Sequence, residues 1–265
     1  MKENFKIAVL CQDDVFVIPR NIKILSNLQN IDIVSIVNIN SAGSLANKKI
    51  FFLKGFGFYQ FFKMGLLSIF YKLIDAIDSL SLYKLKFYRS LNSSAASCNA
   101  LYKQIDNPND PIFLKWLKNQ KLDLVVSYSA PCVFEKELLE IPKYGCINLH
   151  CSLLPSYAGL LPSFWTLYEK SKTIGATVHL MDSKIDNGKI LSQIKVNLPL
   201  NPSMFSVINA TKAEGGKLMA SVVESIKSNS ELPENLINEK LTPSYYSWPT
   251  IEQLEDFRSK GGRLI

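Results

Sequence analysis

Cysteine is scarce in this sequence and shows no pairing pattern. The 265 residues contain five cysteines, an odd number, and no two of them have the C-x-x-C spacing of zinc sites and redox pairs. This argues against a disulfide framework and against a metal site built on thiolates. We therefore expect a chain without a bound metal that works in the reducing cytoplasm.

Long apolar runs and acidic residues are also in short supply. No apolar run reaches the roughly 18–20 residues that a membrane-spanning helix requires. Met1–Lys6 leads into a strand pattern without the apolar core and cleavage site of a signal peptide. The chain has 23 acids against 30 lysines and arginines, a net charge of +7. This charge favours an anionic partner but leaves open a folate polyglutamate, a nucleotide diphosphate, tRNA and an anionic membrane surface.

Glycine is missing from the turn where a nucleotide-binding chain would need it. Lys6–Cys11 has the apolar pattern of a buried strand, Phe16–Leu28 that of a helix, and Ile31–Val37 that of a second strand. This opening predicts an α/β fold with a parallel, Rossmann-like sheet. The first turn, Cys11–Asp14, carries two carboxylates that would repel a phosphate, which argues against a dinucleotide or P-loop site.

Two histidines are present, and one lies among residues suited to proton transfer. Asn148 and His150 belong to the segment 148–155, N-L-H-C-S-L-L-P, and an extended strand directs residues two apart to one face. Asp186 follows a further strand and opens the segment 186–191, D-N-G-K-I-L. An amide, an imidazole and a carboxylate can together move a proton and stabilise an oxyanion.

Three motifs in this order resemble a known family. They are N-x-H-x-S-L-L-P at 148–155, G-x-x-P at 159–162 and D-x-G-x-I-L at 186–191. The pattern is similar to that of the 10-formyltetrahydrofolate-dependent formyltransferases, which include enzymes for methionyl-tRNA, glycinamide ribonucleotide and nucleotide-linked amino sugars, and formyltetrahydrofolate deformylase. The likeness runs from about Asn107 to Leu191, and more weakly from the first strand to Ser228. Cys151 departs from it, because relatives usually carry proline there.

The resemblance implies a Rossmann-like formyltransferase fold, with a mostly parallel twisted sheet flanked by helices and a short helical C-terminal tail. We expect residues 1–200 to form the catalytic domain and residues 201–265 to form a C-terminal helix and tail packed on it, without a separate β-barrel. Apolar patterns predict four further strands and one long helix, over Leu124–Tyr128, Cys146–Leu149, Thr177–Met181, Ile190–Val196 and Ser203–Ser228.

By the same resemblance, Asn148, His150 and Asp186 are the catalytic residues and 10-formyltetrahydrofolate is the formyl donor. An acceptor amine attacks the formyl carbon, Asn148 and a protonated His150 stabilise the oxyanion, and Asp186 takes the amine proton. His179, on an alternating strand, is predicted to be a wall or core residue rather than a catalyst. The resemblance places the pteridine of the donor against two loops, at Ser127, Tyr128, Ser129, Ala130, Pro131, Asp182 and Ile185.

The formyl acceptor is expected to be the primary amine of a small molecule, a nucleotide-linked amino sugar. Methionyl-tRNA formyltransferases share G-x-x-P-x-x-W, matched by Gly159, Pro162 and Trp165, but usually add a C-terminal β-barrel of about a hundred residues. The roughly 37 residues after Ser228 are too few for one, so a tRNA acceptor ranks second. A formyltetrahydrofolate hydrolase, in which water attacks, is a further alternative. The sequence leaves the oligomeric state open.

Residues 47–98 combine basic and aromatic residues to an unusual degree. They carry eight lysines and arginines against two acids, Asp75 and Asp78, and Phe58–Ile74 has the pattern of an amphipathic helix with Lys63 and Lys72 on its solvated side. Three interpretations remain open. The favoured one is a helix packed on the sheet with a solvated basic face, the second is contact with a membrane surface, and the third is nucleic-acid binding.

Overall fold

The computed structural model describes most of the chain. The backbone of residues 45–48 is helical, but their side chains, which include the first two of the basic and aromatic segment 47–98, lie outside the description. Within the described part, no helix is both long and apolar enough to cross a membrane. The described residues are 4–14, 16–40, 45–198, 200–233 and 241–265.

A seven-stranded sheet forms the centre of the fold, in the order β3-β2-β1-β4-β5-β7-β8. Strands β1 to β5 pair in parallel, whereas β7 is antiparallel to β5 and β8 to β7. The predicted α/β fold with a mostly parallel sheet is therefore confirmed. The strands are β1 Phe5–Cys11, β2 Ile31–Ile39, β3 Leu101–Ile105, β4 Leu124–Tyr128, β5 Cys146–His150, β6 Ala158–Gly159, β7 Gly175–Leu180, β8 Ile190–Lys195 and β9 Tyr245–Tyr246.

Eight helices are described around this sheet. The sequence patterns did not indicate α3 or β3, because α3 is serine-rich and begins at a capping box between Ser90 and Ser93, while β3 is mostly exposed and lacks an apolar alternation. The helices are α1 Ile18–Ser26, α2 Leu45–Leu80, α3 Leu91–Cys98, α4 Pro111–Lys118, α5 Lys136–Leu139, α6 Pro162–Tyr168, α7 Met204–Asn229 and α8 Ile251–Ser259.

The sheet is buried on both faces, as expected for parallel strands. Leu149 of β5 and Val178 of β7 share one cluster with apolar residues of α1 and α7. Val125 of β4 and Cys146 of β5 share the opposite cluster, to which α4 and α5 contribute. Because side chains alternate along a strand, the polar residues Asn148 and His150 face the same side as Cys146.

The glycine-free first turn begins a helix. The Asp14 carboxylate accepts hydrogen bonds from the backbone N–H groups of Phe16 (2.6 Å) and Val17 (3.2 Å), and its other oxygen lies 2.6 Å from Nζ of Lys212 on α7. Burial raises the pKa of Asp14, but the Lys212 ammonium and these hydrogen bonds outweigh it and lower the pKa overall. The turn thus joins α1 to α7 through a largely buried ion pair.

Helix α2 corrects the favoured interpretation of residues 47–98. Its main described contacts are with α8 and α3, not with the sheet. Gly57 has non-helical backbone angles and separates a first part, which packs on α8, from the part that runs to Leu80. Lys63 and Lys72 are exposed as predicted, but the solvated side of the helix is mostly apolar.

Candidate active site

Three adjacent strands bring polar side chains into one row. Ser127 of β4 pairs with Asn148 of β5, and Asn148 pairs in turn with His179 of β7. Directly paired residues on neighbouring strands point to the same face. His150 lies two residues beyond Asn148, at the end of β5, where it is buried with 6% of its surface exposed.

The Asp186 carboxylate lies between two imidazoles. Its Oδ2 is 3.3 Å from Nδ1 of His150, and its Oδ1 is 3.4 Å from Nε2 of His179. The side-chain nitrogen of Asn148 lies 3.2 Å from the same Nε2. The three residues predicted from the motifs are thus brought together, although their catalytic roles stay a prediction.

His179, which was predicted to be a wall or core residue rather than a catalyst, also belongs to this cluster. It is 2% exposed, but both of its ring nitrogens make polar contacts. The sequence shows that Thr177 and His179 point to the same face of β7. It does not show that His179 lies opposite Asn148, because that depends on the antiparallel register of β5 and β7.

Each imidazole has one nitrogen on a main-chain carbonyl and the other near Asp186. His150 Nε2 lies 2.8 Å from the Tyr157 carbonyl oxygen, and His179 Nδ1 lies 3.0 Å from that of Leu180. Because a carbonyl only accepts hydrogen bonds, these nitrogens carry the hydrogens in the neutral rings. A proton added to either ring would then lie between that ring and the carboxylate.

Burial and pairing act in opposite directions on these groups. Burial raises the pKa of Asp186, but His150, His179 and the Gly159 N–H outweigh it, so the pKa is lowered and the carboxylate is ionised at neutral pH. Burial lowers the pKa of His150, and Asp186 and the Tyr157 carbonyl only partly oppose it. The pKa of His150 is therefore lowered overall, and its role as a protonated donor to the oxyanion stays a prediction.

The S-L-L-P segment is tied down by buried side chains. The Ser152 hydroxyl donates to the Ser156 carbonyl (2.8 Å), and the Thr177 hydroxyl donates to the Ser152 carbonyl (2.7 Å). The Gln193 amide donates to the Leu154 carbonyl (2.7 Å). These hydrogen bonds connect the loop after β5 to β7 and β8. The carbonyl groups of the loop next to His150 are therefore bonded to protein side chains and not to water.

Gly159 is essential to the geometry of this loop. Its N–H donates to Oδ2 of Asp186 (2.8 Å) while its backbone adopts a φ of +96°. A Cβ at this position would lie 2.2 Å from the Tyr246 carbonyl oxygen, because β6 pairs with β9 there. Glycine meets both demands, since it accepts positive φ and leaves room for the neighbouring strand.

Aromatic rings from distant parts of the chain support the same loop. Tyr246 of β9 stacks between Tyr157 (5.5 Å between centroids) and Trp165 (4.7 Å). Glu169 accepts hydrogen bonds from the hydroxyls of Tyr157 and Tyr246. Since the Tyr157 carbonyl receives His150, the C-terminal segment helps to fix a predicted catalytic side chain, a role that no sequence motif indicated.

The predicted donor-binding residues differ in their accessibility. Ser127 and Tyr128 are buried, and Tyr128 lies in the apolar core, so it can meet a ligand only through its backbone. The Ser127 hydroxyl has no hydrogen-bond partner among the described residues. Ser129 and Ile185 are exposed, whereas Ala130, Pro131 and Asp182 are partly buried.

Other candidate sites are less convincing. In the described ranges, no group of three or more His, Cys, Asp and Glu residues is placed to hold a metal ion. An open cleft of about 1090 Å³ lies beside α6 and α8, with Lys170, Lys172 and Arg263 in its wall, but no residue of the polar cluster lines it. We favour the cluster as the active site, because exposed lysines on an open cleft provide no convergent reactive groups.

Comparison with known proteins gives a consistent assignment for part of the chain. Residues 95–223 match the profile of the family described as formyl transferase. A methionyl-tRNA formyltransferase from Clostridium perfringens is 34% identical over 134 residues, which cover 51% of this chain and 43% of that protein. The chain thus spans less than half the length of this relative.

Solved structures share the fold at low sequence identity. A sugar N-formyltransferase from a Shewanella species superposes with a TM-score of 0.57 at 18% identity, covering 96% of this chain and 79% of that one. An N-formyltransferase from Helicobacter canadensis, in complex with folinic acid and dTDP-3-aminofucose, superposes with a TM-score of 0.57 at 14% identity, covering 96% and 80%. At these identities the likeness establishes the fold alone.

Proposed function

We propose that this chain is a member of the formyl transferase family and that it transfers a formyl group from 10-formyltetrahydrofolate to a primary amine of a small acceptor. The observation that carries the proposal is the convergence of Asn148, His150 and Asp186 at the end of β5. Transfer of an acyl group to an amine needs a donor to an oxyanion and an acceptor for the amine proton.

We assign these two tasks to different residues. The ionised Asp186 and the neutral His150, in contact at 3.3 Å, form a pair that can accept the amine proton. The Asn148 amide is a hydrogen-bond donor already fixed in direction by His179, and it would stabilise negative charge on the carbonyl oxygen. From this pair the proton would pass to the folate nitrogen, which leaves as its bond to the formyl carbon breaks.

The residues near this cluster fit a folate ligand. 10-Formyltetrahydrofolate would supply the carbonyl carbon and the leaving nitrogen. The loops that follow β4 and β7 end beside the cluster, and they offer backbone groups at Ser129 to Pro131 and at Asp182 to Ile185. The buried Ser127 hydroxyl, beside Asn148 and without a partner in the described structure, provides a further polar group.

A nucleotide-linked amino sugar is the acceptor that we favour. Neighbours of this fold include a sugar N-formyltransferase and an N-formyltransferase solved with dTDP-3-aminofucose. The net charge of +7 suits an acceptor that carries a diphosphate. We keep methionyl-tRNA as a second candidate, because a methionyl-tRNA formyltransferase is 34% identical over 134 residues and because tRNA is also an anionic partner.

The proposal is tested by following tetrahydrofolate release from 10-formyltetrahydrofolate. We expect release only in the presence of a nucleotide-linked 3-amino or 4-amino sugar, which should gain the mass of one formyl group. Formylation of charged initiator tRNA instead would select the second candidate. Release of formate without any acceptor would identify a hydrolase and contradict transfer, and no release with any acceptor would overturn the proposal.

A further inference from the structure

Helix α2 carries an outward apolar stripe that the proposed function does not use. The stripe consists of large apolar residues that recur every three or four positions and are half or more exposed, with 73% for Phe58, 52% for Leu66 and 86% for Leu80. The spacing 4-4-3-4-4-3 keeps them on one side of the helix. The stripe residues are Phe58, Phe62, Leu66, Ile69, Leu73, Ile77 and Leu80.

The stripe is not needed to hold the helix on the molecule. The opposite side of α2 makes those contacts: Met64 packs on the cluster of Phe56 and Phe257. Tyr71 meets the ring of Phe16 at 5.5 Å and the guanidinium of Arg89 at 4.0 Å. A continuous apolar surface about 34 Å long on a chain with a full core elsewhere marks a contact with something else.

The charges around the stripe have one sign. Lys63 and Lys72 are exposed and, at 100° per residue, lie about 90° to either side of the midline of the stripe. Both acids of the segment are turned inward. Asp78 is fully buried and accepts the backbone N–H groups of residues 85–87, while Asp75 is partly buried near Ser90. The outward surface of α2 therefore presents apolar side chains between cations.

The surface continues beyond the end of the helix with the same composition. Leu82, Leu85 and Phe87 are exposed, and Lys84 and Lys86 alternate with them. Long lysine side chains can place their charges at a polar boundary while their stems lie along apolar surface. Apolar residues flanked by lysines on one side of a helix are the arrangement of helices that lie in the interface of an anionic bilayer.

We infer that the outward stripe of α2 docks the protein on an anionic membrane surface, with the helix parallel to the bilayer. A second copy of the chain fits less well, because pairing two stripes would bring lysines against lysines without an exposed acid in the segment to balance them. A nucleic acid also fits less well, since five of the seven stripe residues are leucine or isoleucine, which do not stack on bases as aromatic rings do. This inference goes beyond formyl transfer and does not depend on it.

The test is flotation of the full chain with vesicles of phosphatidylcholine, with and without 30 mol% phosphatidylglycerol, at 0.1 M salt. We expect binding to the anionic vesicles that weakens as salt is raised. Leu66→Glu/Leu73→Glu should reduce partitioning by about tenfold or more, because two apolar anchors are lost and charge is added. The matched control is Ile112→Glu, since Ile112 is 81% exposed on α4, outside the stripe, and should change nothing.

A second pair of variants separates charge from apolar burial. Lys63→Gln/Lys72→Gln should weaken binding to anionic vesicles by roughly 25-fold, from about fivefold for each cation at the surface. The same change at Lys115 and Lys118 of α4 is the control. Circular dichroism should confirm that each variant is folded, which is expected because all of these side chains are exposed.

Three results would overturn the inference. They are no binding to anionic vesicles, equal binding by the parent and the stripe variant, and a light-scattering mass that falls from dimer to monomer in Leu66→Glu/Leu73→Glu. The last result would assign the stripe to contact between copies. Loss of tRNA binding in the stripe variant, without vesicle binding in the parent, would assign it to nucleic acid. Formyl transfer is measured separately, so its failure would leave the vesicle result unaffected.

Discussion

Polar side chains are usually exposed and apolar side chains are usually buried. The end of β5 and the outward side of α2 depart from this rule in opposite ways. At β5, groups that water normally solvates are buried, and each finds a partner: Asp186 contacts two imidazoles and the Gly159 N–H. On α2, side chains that are normally buried are exposed without a partner in the described structure. Buried polar groups need fixed partners, whereas exposed apolar groups cost the fold little, so substitutions in the two regions should differ in kind.

The largest expected effect is on catalysis, from Asp186→Asn. Removing the carboxylate removes the proton acceptor and the charge that orients both histidines, so kcat should fall by about 10²–10⁴. The measurement is the rate of tetrahydrofolate release with a saturating amine acceptor. Asp32→Asn, an exposed aspartate on β2, is the control and should keep the parent rate. A rate within threefold of the parent for Asp186→Asn would remove the cluster from the mechanism.

The next largest effect is on stability, in Gly159→Ala and Gly261→Ala. Comparing the two variants separates the cost of a steric clash from the cost of backbone strain. Both glycines have positive φ, but a Cβ on Gly159 would meet the Tyr246 carbonyl at 2.2 Å, whereas one on Gly261 would have no atom within 4 Å. We expect Gly159→Ala to lower the free energy of unfolding by about 2–4 kcal/mol and Gly261→Ala by about 1 kcal/mol. Urea unfolding of both variants measures the difference.

If the two alanine variants lost the same stability, the close approach of β6 and β9 would not matter. Gly159→Ala should also lose activity, because the Gly159 N–H would move away from Asp186. The activity of Gly261→Ala should be unchanged, since Gly261 follows α8 and does not contact the cluster.

A smaller effect is a shift in titration. The pKa of His150 is lowered, chiefly by burial, and Asp186 opposes the shift, so Asp186→Asn should lower this pKa further. Ring resonances in NMR spectra recorded against pH measure this directly. With two histidines in the chain, His179→Gln assigns the two signals. A rise of the His150 pKa in Asp186→Asn would contradict the arrangement described.

The directions of the pKa shifts of His150 and Asp186 predict how the free energy of unfolding depends on pH. Because the folded pKa of His150 lies below its unfolded value of about 6.5, the unfolded chain binds more protons and stability falls as pH drops below that value. Asp186, whose pKa is lowered, contributes stability above about pH 4, and this contribution is lost as pH falls through its folded pKa. Urea midpoints between pH 3 and pH 8 test both signs.

The smallest expected effect concerns the stability of α2. Leu66→Ala should change the free energy of unfolding by less than about 0.5 kcal/mol, because Leu66 is 52% exposed on the outward stripe. Leu25→Ala, the same change at a fully buried position of α1, should cost about 2–5 kcal/mol. A large loss in Leu66→Ala would mean that the stripe packs within the molecule, against the exposure described.

Sequence patterns predicted the elements that have strong local signals. The strand predicted at Leu124–Tyr128 has these bounds, and the long helix predicted at Ser203–Ser228 runs from Met204 to Asn229. The sequence did not predict β3, because its residues do not alternate between apolar and polar. The helix in segment 47–98 was expected to pack on the sheet, because its many apolar residues suggested burial. An amphipathic pattern cannot say which of its sides meets the protein.

By itself, the sequence predicted the fold class from the periodicity of its strands. Through the resemblance carried by its short motifs, it also predicted that Asn148, His150 and Asp186 act together. The tertiary structure alone decided that His179 joins them, that Tyr246 supports the loop whose Tyr157 carbonyl contacts His150, and that burial lowers the pKa of His150. The position of His179 depends on the antiparallel register of β7, and the position of Tyr246 depends on contacts between residues some ninety positions apart. The pKa of His150 depends on its burial. No local sequence pattern encodes any of these three properties.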